Sequence, residues 1–479
     1  MHMRLLVPLT LAINVSAAPP RVANLAEKQR AVATIESHRA DLTALSDEIW
    51  RYAEPALRET RSSQALAGFA EKHGFRVTRG IAGMPTAFIA EYGSGAPVIG
   101  IMGEYDALPG ISQKAQSAKE ALEEGAAGHG CGHNLFGVGS LAAAIAVKDL
   151  IDAGRLKGTI RFFGTPAEEA VGGKIYILRD GAMEGIDVML AWHPSDKTQS
   201  DTRSSQALID LEVDFTGRAA HAAFDPWNGR SAVDGAEIFT HAVNLMREHI
   251  RPTARMHYTI VRGGEVPNVV PEHAKVWLWL RDLEMTEVEE MLVRIRKIAA
   301  GAALAADVES KLNILGGDWN MLTNIAGQRV VQKNLEWLGP PKFTPEEQEF
   351  AKAIQRATGV EEKGLKTSLE PFEDKPGPAE GGSTDVGDVS WNIPTLSLSV
   401  TTAPDGAPWH GWSVVACGGM SIGHKGMIHA AKALAATMID LYRNPQDVRA
   451  IRQEFITDTK ETRFRYYIPD GPPQLPPSR

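Results

Sequence analysis

The segment from Asn134 to Ile151 constrains the fold more than any other part of this sequence. Its apolar residues recur all round a helix rather than along one stripe, and they include Leu135, Val138, Leu141, Ile145, Val147 and Leu150. A helix of this kind must be covered on every side, so it belongs in the core of a large domain. The chain has 479 residues, of which 43% are hydrophobic. That length corresponds to about two to four domains of ordinary size.

Short strand-like segments flank this helix in the sequence. A helical pattern covers residues 24–74, and strand patterns follow at Val77 and at residues 86–91, 98–103, 158–164, 188–192 and 394–400. Strands that alternate with helices predict a mostly parallel sheet with helices on both faces. We therefore expect an α/β domain built from two parts of the chain, residues 24–204 and 321–445.

Residues 205–320 have a different pattern and predict a second domain. Residues 208–215 alternate apolar and polar side chains, as a half-exposed antiparallel strand does. Together with the elements after it, this strand gives the order β-α-β-β-α-β. That order predicts a self-contained α+β sandwich inserted into the first domain. Beyond the second part of the main domain, residues 446–479 form an extension, and we expect the Pro-rich end from Tyr466 to be unpacked.

Composition excludes several classes of protein. Lys and Arg number 50 against 59 Asp and Glu, so the net charge of −9 disfavours a nucleic-acid binder. The two cysteines, Cys131 and Cys417, are too few for a disulfide framework. No run after the first residues approaches the roughly eighteen apolar residues that a membrane span requires. An enzyme without a membrane segment is the natural interpretation.

Residues 1–18 resemble a targeting segment. One positive charge is followed by an apolar run and then by small residues, which predicts a secretory signal cut near Ala17 or Ala18. Such a signal would place the protein in the periplasm or outside the cell. The alternatives are an unstructured N-terminus and a mis-assigned start, and in those cases we expect a cytoplasmic protein.

The densest group of metal-capable side chains lies in residues 128–134, with the sequence GHGCGHN. The thiolate of Cys131 and the imidazole of His133 are ligands that zinc and related ions prefer. The three glycines let the backbone turn tightly and keep bulky side chains away from an ion. A buried cysteine in a Gly-rich turn with incidental histidines is the structural alternative.

Two adjacent carboxylates, Glu168 and Glu169, directly follow the predicted strand at residues 158–164. Ligands of α/β sheets bind at the carboxyl ends of the strands. One carboxylate of such a pair can coordinate a metal while the other stays free as a general base. The alternative is a solvated acidic pair at the beginning of a helix, where negative charge suits the helix dipole.

Histidines also follow two predicted strands. His193 ends the strand at residues 188–192, although a lone histidine in such a place is more often structural than a ligand. His410 lies in a loop after the strand at residues 394–400, and His424, on the predicted closing helix, is a rival for the same role. Together these motifs bring five metal-capable residues to one edge of the sheet, enough for two divalent ions with a shared bridge: Cys131, His133, Glu169, His193 and His410.

The chain resembles the metal-dependent aminoacylase and carboxypeptidase superfamily from Ala31 to about Asn444. Within it, the chain is similar to the amidohydrolase branch that includes aminobenzoyl-glutamate hydrolases and auxin-conjugate hydrolases, and to the aminobenzoyl-glutamate utilisation group in particular. Six motifs in order carry the resemblance: GHGCGHNLFGVGS, GTPAEEAVGGK, AWHP, TGRAAHAAFDPWNGRSAVD, GGEVPNVVP and HGW…GHKGMIHAAK.

The resemblance implies a dimetal catalytic domain with zinc or manganese and an inserted lid domain that often dimerises, as a homodimer or a hetero-oligomer. The five residues named above correspond to the family's ligands, and Glu168 corresponds to its general base. His221 corresponds to a histidine that helps to bind the oxyanion, often in the partner's site, and Asn268 to a lid residue near the substrate. Alternatively, His221 could only cap a turn, and Asn268 could only turn the chain.

Two further residues are candidates. Arg281 ends a predicted lid strand and could hold a substrate carboxylate through a bidentate pair, although a surface arginine is the alternative. The branch commonly has an aspartate where this chain has Asn134, so the task of orienting a ligand histidine moves elsewhere. Asp106, in the family-like element GEYDALP, is our candidate for that task. We also expect residues 376–388 to line the pocket.

The predicted activity is hydrolysis of a non-ring C–N bond, the amide of an N-acyl and specifically N-aroyl amino acid of the aminobenzoyl-glutamate type. The alternative within the same chemistry is a dipeptidase or carboxypeptidase acting on short peptides. A cysteine hydrolase with Cys131 as nucleophile and His133 or His129 as base is an interpretation from another class. A catalytically inactive relative that binds an amide ligand is the third.

Overall fold

The computed structural model describes residues 23–379 and 381–474, so the predicted signal at residues 1–18 lies outside the described residues. The first part of the main domain ends with a two-residue strand. Its helices are α1 Leu25–Ser37, α2 Arg39–Tyr52, α3 Thr60–Lys72, α4 His133–Asp152, α5 Glu168–Val171 and α6 Gly173–Arg179. Its strands are β1 Arg76–Arg79, β2 Phe88–Ser94, β3 Val98–Gly103, β4 Gly158–Gly164, β5 Val188–Ser195 and β6 Gln199–Ser200.

A separate antiparallel sheet with two helices lies between residues 207 and 318. Its elements are β7 Ala207–Thr216, α7 Ala232–Met246, β8 Arg255–Gly263, β9 His273–Asp282, α8 Met285–Ala306 and β10 Glu309–Asp318. The strand order is β10-β7-β9-β8, and every neighbouring pair is antiparallel. Val276, Leu278 and Leu280 of β9 are buried in a core with α7 and α8, whereas the alternate residues of β9 lie on the other face. We refer to this unit as the lid.

The chain then returns to the main domain. The remaining elements are α9 Ile325–Leu338, α10 Pro345–Thr358, α11 Val386–Ser390, β11 Thr395–Thr401, α12 Trp412–Gly418, α13 Ser421–Arg443 and α14 Pro445–Thr459. The main sheet has the order β1-β2-β4-β3-β5-β11-β6, in which β4, β3, β5 and β11 are parallel. The prediction of a mostly parallel α/β sheet with an inserted α+β domain is confirmed.

Helix α4 is the centre of the main core. It packs against α13, α1, α2 and the sheet, and sixteen of its twenty residues are buried. Among the described helices it is the one with the length and apolar composition of a membrane span, and 83% of its apolar window is buried inside the protein. The all-round apolar pattern therefore reflects burial in protein on every side.

Part of the C-terminal segment is packed, so the expectation that the chain from Tyr466 is unpacked is wrong for Tyr467 and for the backbone at Pro469 and Gly471. Tyr467 is only 7% exposed and belongs to the lid core. Arg179 donates to the carbonyl oxygens of Pro469, at 2.7 Å, and of Gly471. The burial of the Tyr467 ring and these backbone contacts hold the segment against the protein, although its Pro-rich composition predicted an unpacked chain.

Candidate active site

The site forms where the carboxyl ends of the parallel strands meet. Strand β3 leads to Glu104 and Asp106, β4 leads to the Glu168–Glu169 pair, and β5 contains His193. Because β3, β4 and β5 run parallel, these residues reach the same edge of the sheet.

Five predicted ligands converge at this edge in two groups that share one cysteine. Ligand atoms of Cys131, His133 and His193 lie within 4.8 Å of one another, and so do those of Cys131, Glu169 and His410. The Cys131 Sγ lies 3.3 Å from His410 Nε2, which in turn lies 3.6 Å from Glu169 Oε2. A thiolate between two such groups can bridge two cations.

The donor atoms fit divalent metal ions. His133 Nε2 and Glu169 Oε1 are buried and have no hydrogen-bond partner among the described residues. Burial raises the pKa of Glu169 to about 7 and also raises the pKa of the Cys131 thiol. A divalent cation supplies the positive charge that favours the ionised form of both groups. The imidazole, the thiol and the carboxylate therefore form a set of donors that divalent metal ions can bind.

Asp106 orients both ligand groups. Its Oδ1 lies 2.9 Å from His133 Nδ1, and its Oδ2 accepts the backbone N–H of Glu169 at 2.9 Å. A carboxylate on one ring nitrogen fixes the histidine tautomer and leaves the other nitrogen to bind a metal. Asn134 has no such role, since its amide donates to Ser46 Oγ at 3.0 Å and to the Gly418 carbonyl at 3.1 Å.

Glu168 presents an unengaged carboxylate beside the ligands. Its carboxylate lies within 4.8 Å of ligand atoms of His133 and Glu104, and no hydrogen bond within the described ranges uses it. Burial raises its pKa well above the usual value, and the negative charges of Glu104 and Glu169 add to that rise. The residue before it, Ala167, has a φ of 63°, so a left-handed turn positions the pair. A carboxyl with raised proton affinity suits a general base.

The lid residues His221 and Asn268 lie beside each other but apart from the ligand cluster. The Ala222 backbone N–H donates to the Asn268 carbonyl at 3.0 Å, and His221 Nδ1 accepts backbone N–H groups of Ala223 and Phe224 at 3.2 and 3.1 Å. In the part of the chain that the structure describes, no contact of His221 reaches the Cys131 cluster. Both residues are exposed. One chain on its own therefore does not bring them into the site.

Arg281, the other substrate-binding candidate, lies on β9 and is half-buried. Its guanidinium group is 4.9 Å from the centre of the Trp279 ring. Burial lowers its pKa, and the charge of Asp318 opposes this shift. Because Arg281 alternates with the buried Leu280 along β9, it lies on the face of the lid sheet away from the lid helices.

The competing histidines are engaged elsewhere. His424 Nε2 lies 2.8 Å from Asp47 Oδ1, and His129 is buried with Nε2 at 3.1 Å from the Ile49 carbonyl. Neither belongs to a group of potential ligands in the described residues.

Sequence reasoning missed three charged residues behind the ligands. Glu104, Lys174 and Asp385 are at most 1% exposed, and Lys174 forms ion pairs with both carboxylates. Glu104 and Lys174 lie within two of the motifs described above, GEYDALP and GTPAEEAVGGK, but nothing in those motifs indicated that the two pair. Glu104 Oε2 also lies 2.9 Å from His133 Nε2, although the angles do not make a hydrogen bond.

Comparison with known proteins identifies the family. The model of peptidase family M20/M25/M40 matches residues 100–411. The chain belongs to this family. It is 38% identical over 455 residues to a p-aminobenzoyl-glutamate hydrolase subunit of Escherichia coli (strain K12), covering 89% of this chain and 94% of that relative. Membership and this relationship make the protein a hydrolase that acts on amide bonds.

Two other similar proteins share fewer identical residues with the chain. The chain is 29% identical to the Xaa-Arg dipeptidase of Mus musculus, over 91% of this chain and 95% of the dipeptidase. A Bacillus subtilis structure described as a dinuclear metal binding peptidase superposes with a TM-score of 0.57 at 17% identity, covering 84% of this chain and 99% of that one. At this identity the similarity shows a shared fold.

Proposed function

We propose that this protein hydrolyses the amide bond of an N-acyl amino acid, with an aromatic acyl group as in aminobenzoyl-glutamate, at a centre of two divalent ions. The observation that carries the proposal is the pair of three-residue groups that share Cys131, with the unengaged Glu168 carboxylate next to them. The name of the Escherichia coli relative supports the aromatic acyl group. A dipeptidase is the second candidate, supported by the Xaa-Arg dipeptidases among the relatives.

In this proposal Cys131, His133 and His193 would hold one ion, and Cys131, Glu169 and His410 would hold the other. When bound, the ions polarise the scissile carbonyl and lower the pKa of a water. Asp106 keeps His133 and the Glu169 backbone in place. Thiolate, imidazole and carboxylate together suit either zinc or manganese.

Glu168 acts as the proton carrier. Its carboxylate accepts a proton from the attacking water and then donates that proton to the nitrogen of the leaving amino acid, which closes the cycle. Arg281 is our candidate for the carboxylate of that amino acid. His221 and Asn268 belong to the site of a neighbouring subunit, in a homodimer or hetero-oligomer assembled through the lid.

The decisive test compares Glu168→Gln with the wild-type enzyme and with Glu461→Gln, a control whose side chain is 86% exposed. Hydrolysis of aminobenzoyl-glutamate and of an Xaa-Arg dipeptide is followed before and after chelation. We expect Glu168→Gln to keep its metal and to lose about 10²- to 10⁴-fold in kcat, the usual contribution of a general base. The control should match wild type. Activity that survives chelation and is lost on thiol alkylation would instead identify Cys131 as a nucleophile.

Two finer properties need their own measurements. Restoring the chelated enzyme with zinc or with manganese separately determines which ion supports turnover. For localisation, we propose export through residues 1–18. N-terminal sequencing of the protein from a periplasmic or culture fraction should find a chain that begins just after Ala17 or Ala18, whereas an intact Met1 in the cytoplasm would contradict export.

A further inference from the structure

Lys174 is a fully buried cation directly behind the ligand cluster. Its Nζ lies 2.6 Å from Glu104 Oε1 and 2.7 Å from Asp385 Oδ1, and its backbone N–H donates to Asp385 Oδ2 at 2.9 Å. All three side chains are at most 1% exposed. Removing three charged groups from water is costly unless each one is paired. One ammonium group therefore pairs with two carboxylates that come from distant parts of the chain.

The position of Lys174 couples this triad to the general base. Glu168 begins α5, and Lys174 is the second residue of α6, with only Gly172 between the two helices. Gly172 has a φ of 66°, and a Cβ on Gly173 would lie 2.0 Å from the Pro166 carbonyl oxygen. The turn is thus too tight for side chains, and Lys174 anchors the end of the short loop that carries Glu168.

Glu104, another member of the triad, also lies close to the Glu168 carboxylate. Glu104 accepts Lys174 on Oε1, its Oε2 lies 2.9 Å from His133 Nε2, and its carboxylate belongs to a group of possible ligands that also contains His133 and Glu168. Asp385 lies in the segment of residues 376–388 and precedes α11. Lys174 consequently connects three parts of the main domain: the end of strand β3, the short loop that carries Glu168, and the segment of residues 376–388.

We infer that Lys174 is a positioning residue, whose ammonium group holds Glu104 and Asp385 together and thereby fixes the loop that presents Glu168. Among the described residues its ammonium group pairs with Glu104 and Asp385 and with none of the five proposed ligands, so it acts through Glu104 and the loop. This inference rests on the proposed role of Glu168.

The test compares Lys174→Met with Lys28→Met in the full-length, metal-loaded enzyme. Lys28 also forms a buried ion pair, with its Nζ 2.7 Å from Asp440 Oδ2, but it joins α1 to α13 away from the site. Lys174→Met leaves two buried carboxylates without their cation and Lys28→Met leaves one, so both variants should unfold at a lower temperature. We expect only Lys174→Met to lose kcat, by about 10- to 100-fold as for other residues that orient a site, with KM and two bound metals retained.

Two further variants keep the inference testable if Lys174→Met does not fold. Lys174→Arg retains the charge and should recover most of kcat. Lys174→Met combined with Asp385→Asn removes one of the two carboxylates that Lys174 pairs with, and should recover folding but not kcat. A folded single or double variant with wild-type kcat would show that Lys174 only stabilises the fold and would overturn the inference. An active Glu168→Gln enzyme would overturn the proposed function instead, so the two failures are distinct.

Discussion

Replacing Asp106 by asparagine removes one of the two oxygens that organise the site. In the wild type, Oδ1 faces His133 Nδ1 and Oδ2 accepts the Glu169 backbone N–H, each at 2.9 Å. Asparagine has a single oxygen, so its amide NH₂ must face one of these two donors. Loss of a hydrogen bond to a charged acceptor costs about 1.5 to 3 kcal/mol. That energy corresponds to about 10- to 150-fold in an equilibrium constant.

We therefore expect Asp106→Asn to bind metal about 10- to 150-fold more weakly, measured by competition with a chelator of known affinity. The control is Asp440→Asn. Asp440 is also a buried aspartate, and it accepts hydrogen bonds from Lys28, Asn24 and Asn334. This control should lower thermal stability and leave metal affinity unchanged. Wild-type affinity in Asp106→Asn, or equal weakening in both variants, would refute the reasoning.

Three other perturbations follow from the contacts. His424→Ala should keep two metals and most activity, because His424 contacts Asp47 through a hydrogen bond and not the ligand cluster. Loss of a metal would contradict this prediction. Tyr467→Ala should destabilise the protein by about 3 kcal/mol, as for other buried aromatic rings, and an unchanged denaturation midpoint would count against it. Burial and the charge of Asp385 raise the pKa of Asp318 to about 7. Folding therefore loses stability as pH rises from about 4 to 7, so Asp318→Asn should raise Tm at pH 8 but not at pH 4, and equal shifts would contradict the assignment.

The sequence was sufficient to predict that the five candidate ligands converge, because they belong to local motifs at predictable places in the fold. Glu169 and His193 each lie at or just beyond the end of a strand, and parallel strands bring their ends to one edge. The all-round apolar pattern of helix α4 likewise predicted its burial. These features depend on short-range patterns and on simple rules of sheet topology.

Contacts between distant segments could not be predicted in the same way. Glu104, Lys174 and Asp385 are each unremarkable as single residues, and only the folded chain brings one ammonium between the two carboxylates. Composition was misleading for the C-terminus, where the burial of Tyr467 outweighs a Pro-rich background. For His221, a motif suggested a role in the site, but in the folded chain none of its contacts among the described residues reaches the Cys131 cluster.

The most direct test of the central claim is the number of metal ions bound per chain in the wild type and in three ligand variants. Two groups that share Cys131 predict close to two ions in the wild type, one after His193→Ala, one after His410→Ala, and none after Cys131→Ala, with activity lost in all three. Elemental analysis of the dialysed proteins gives these numbers. A wild-type enzyme that is active with one ion or none, or a Cys131→Ala protein that keeps both ions, would contradict the dinuclear site.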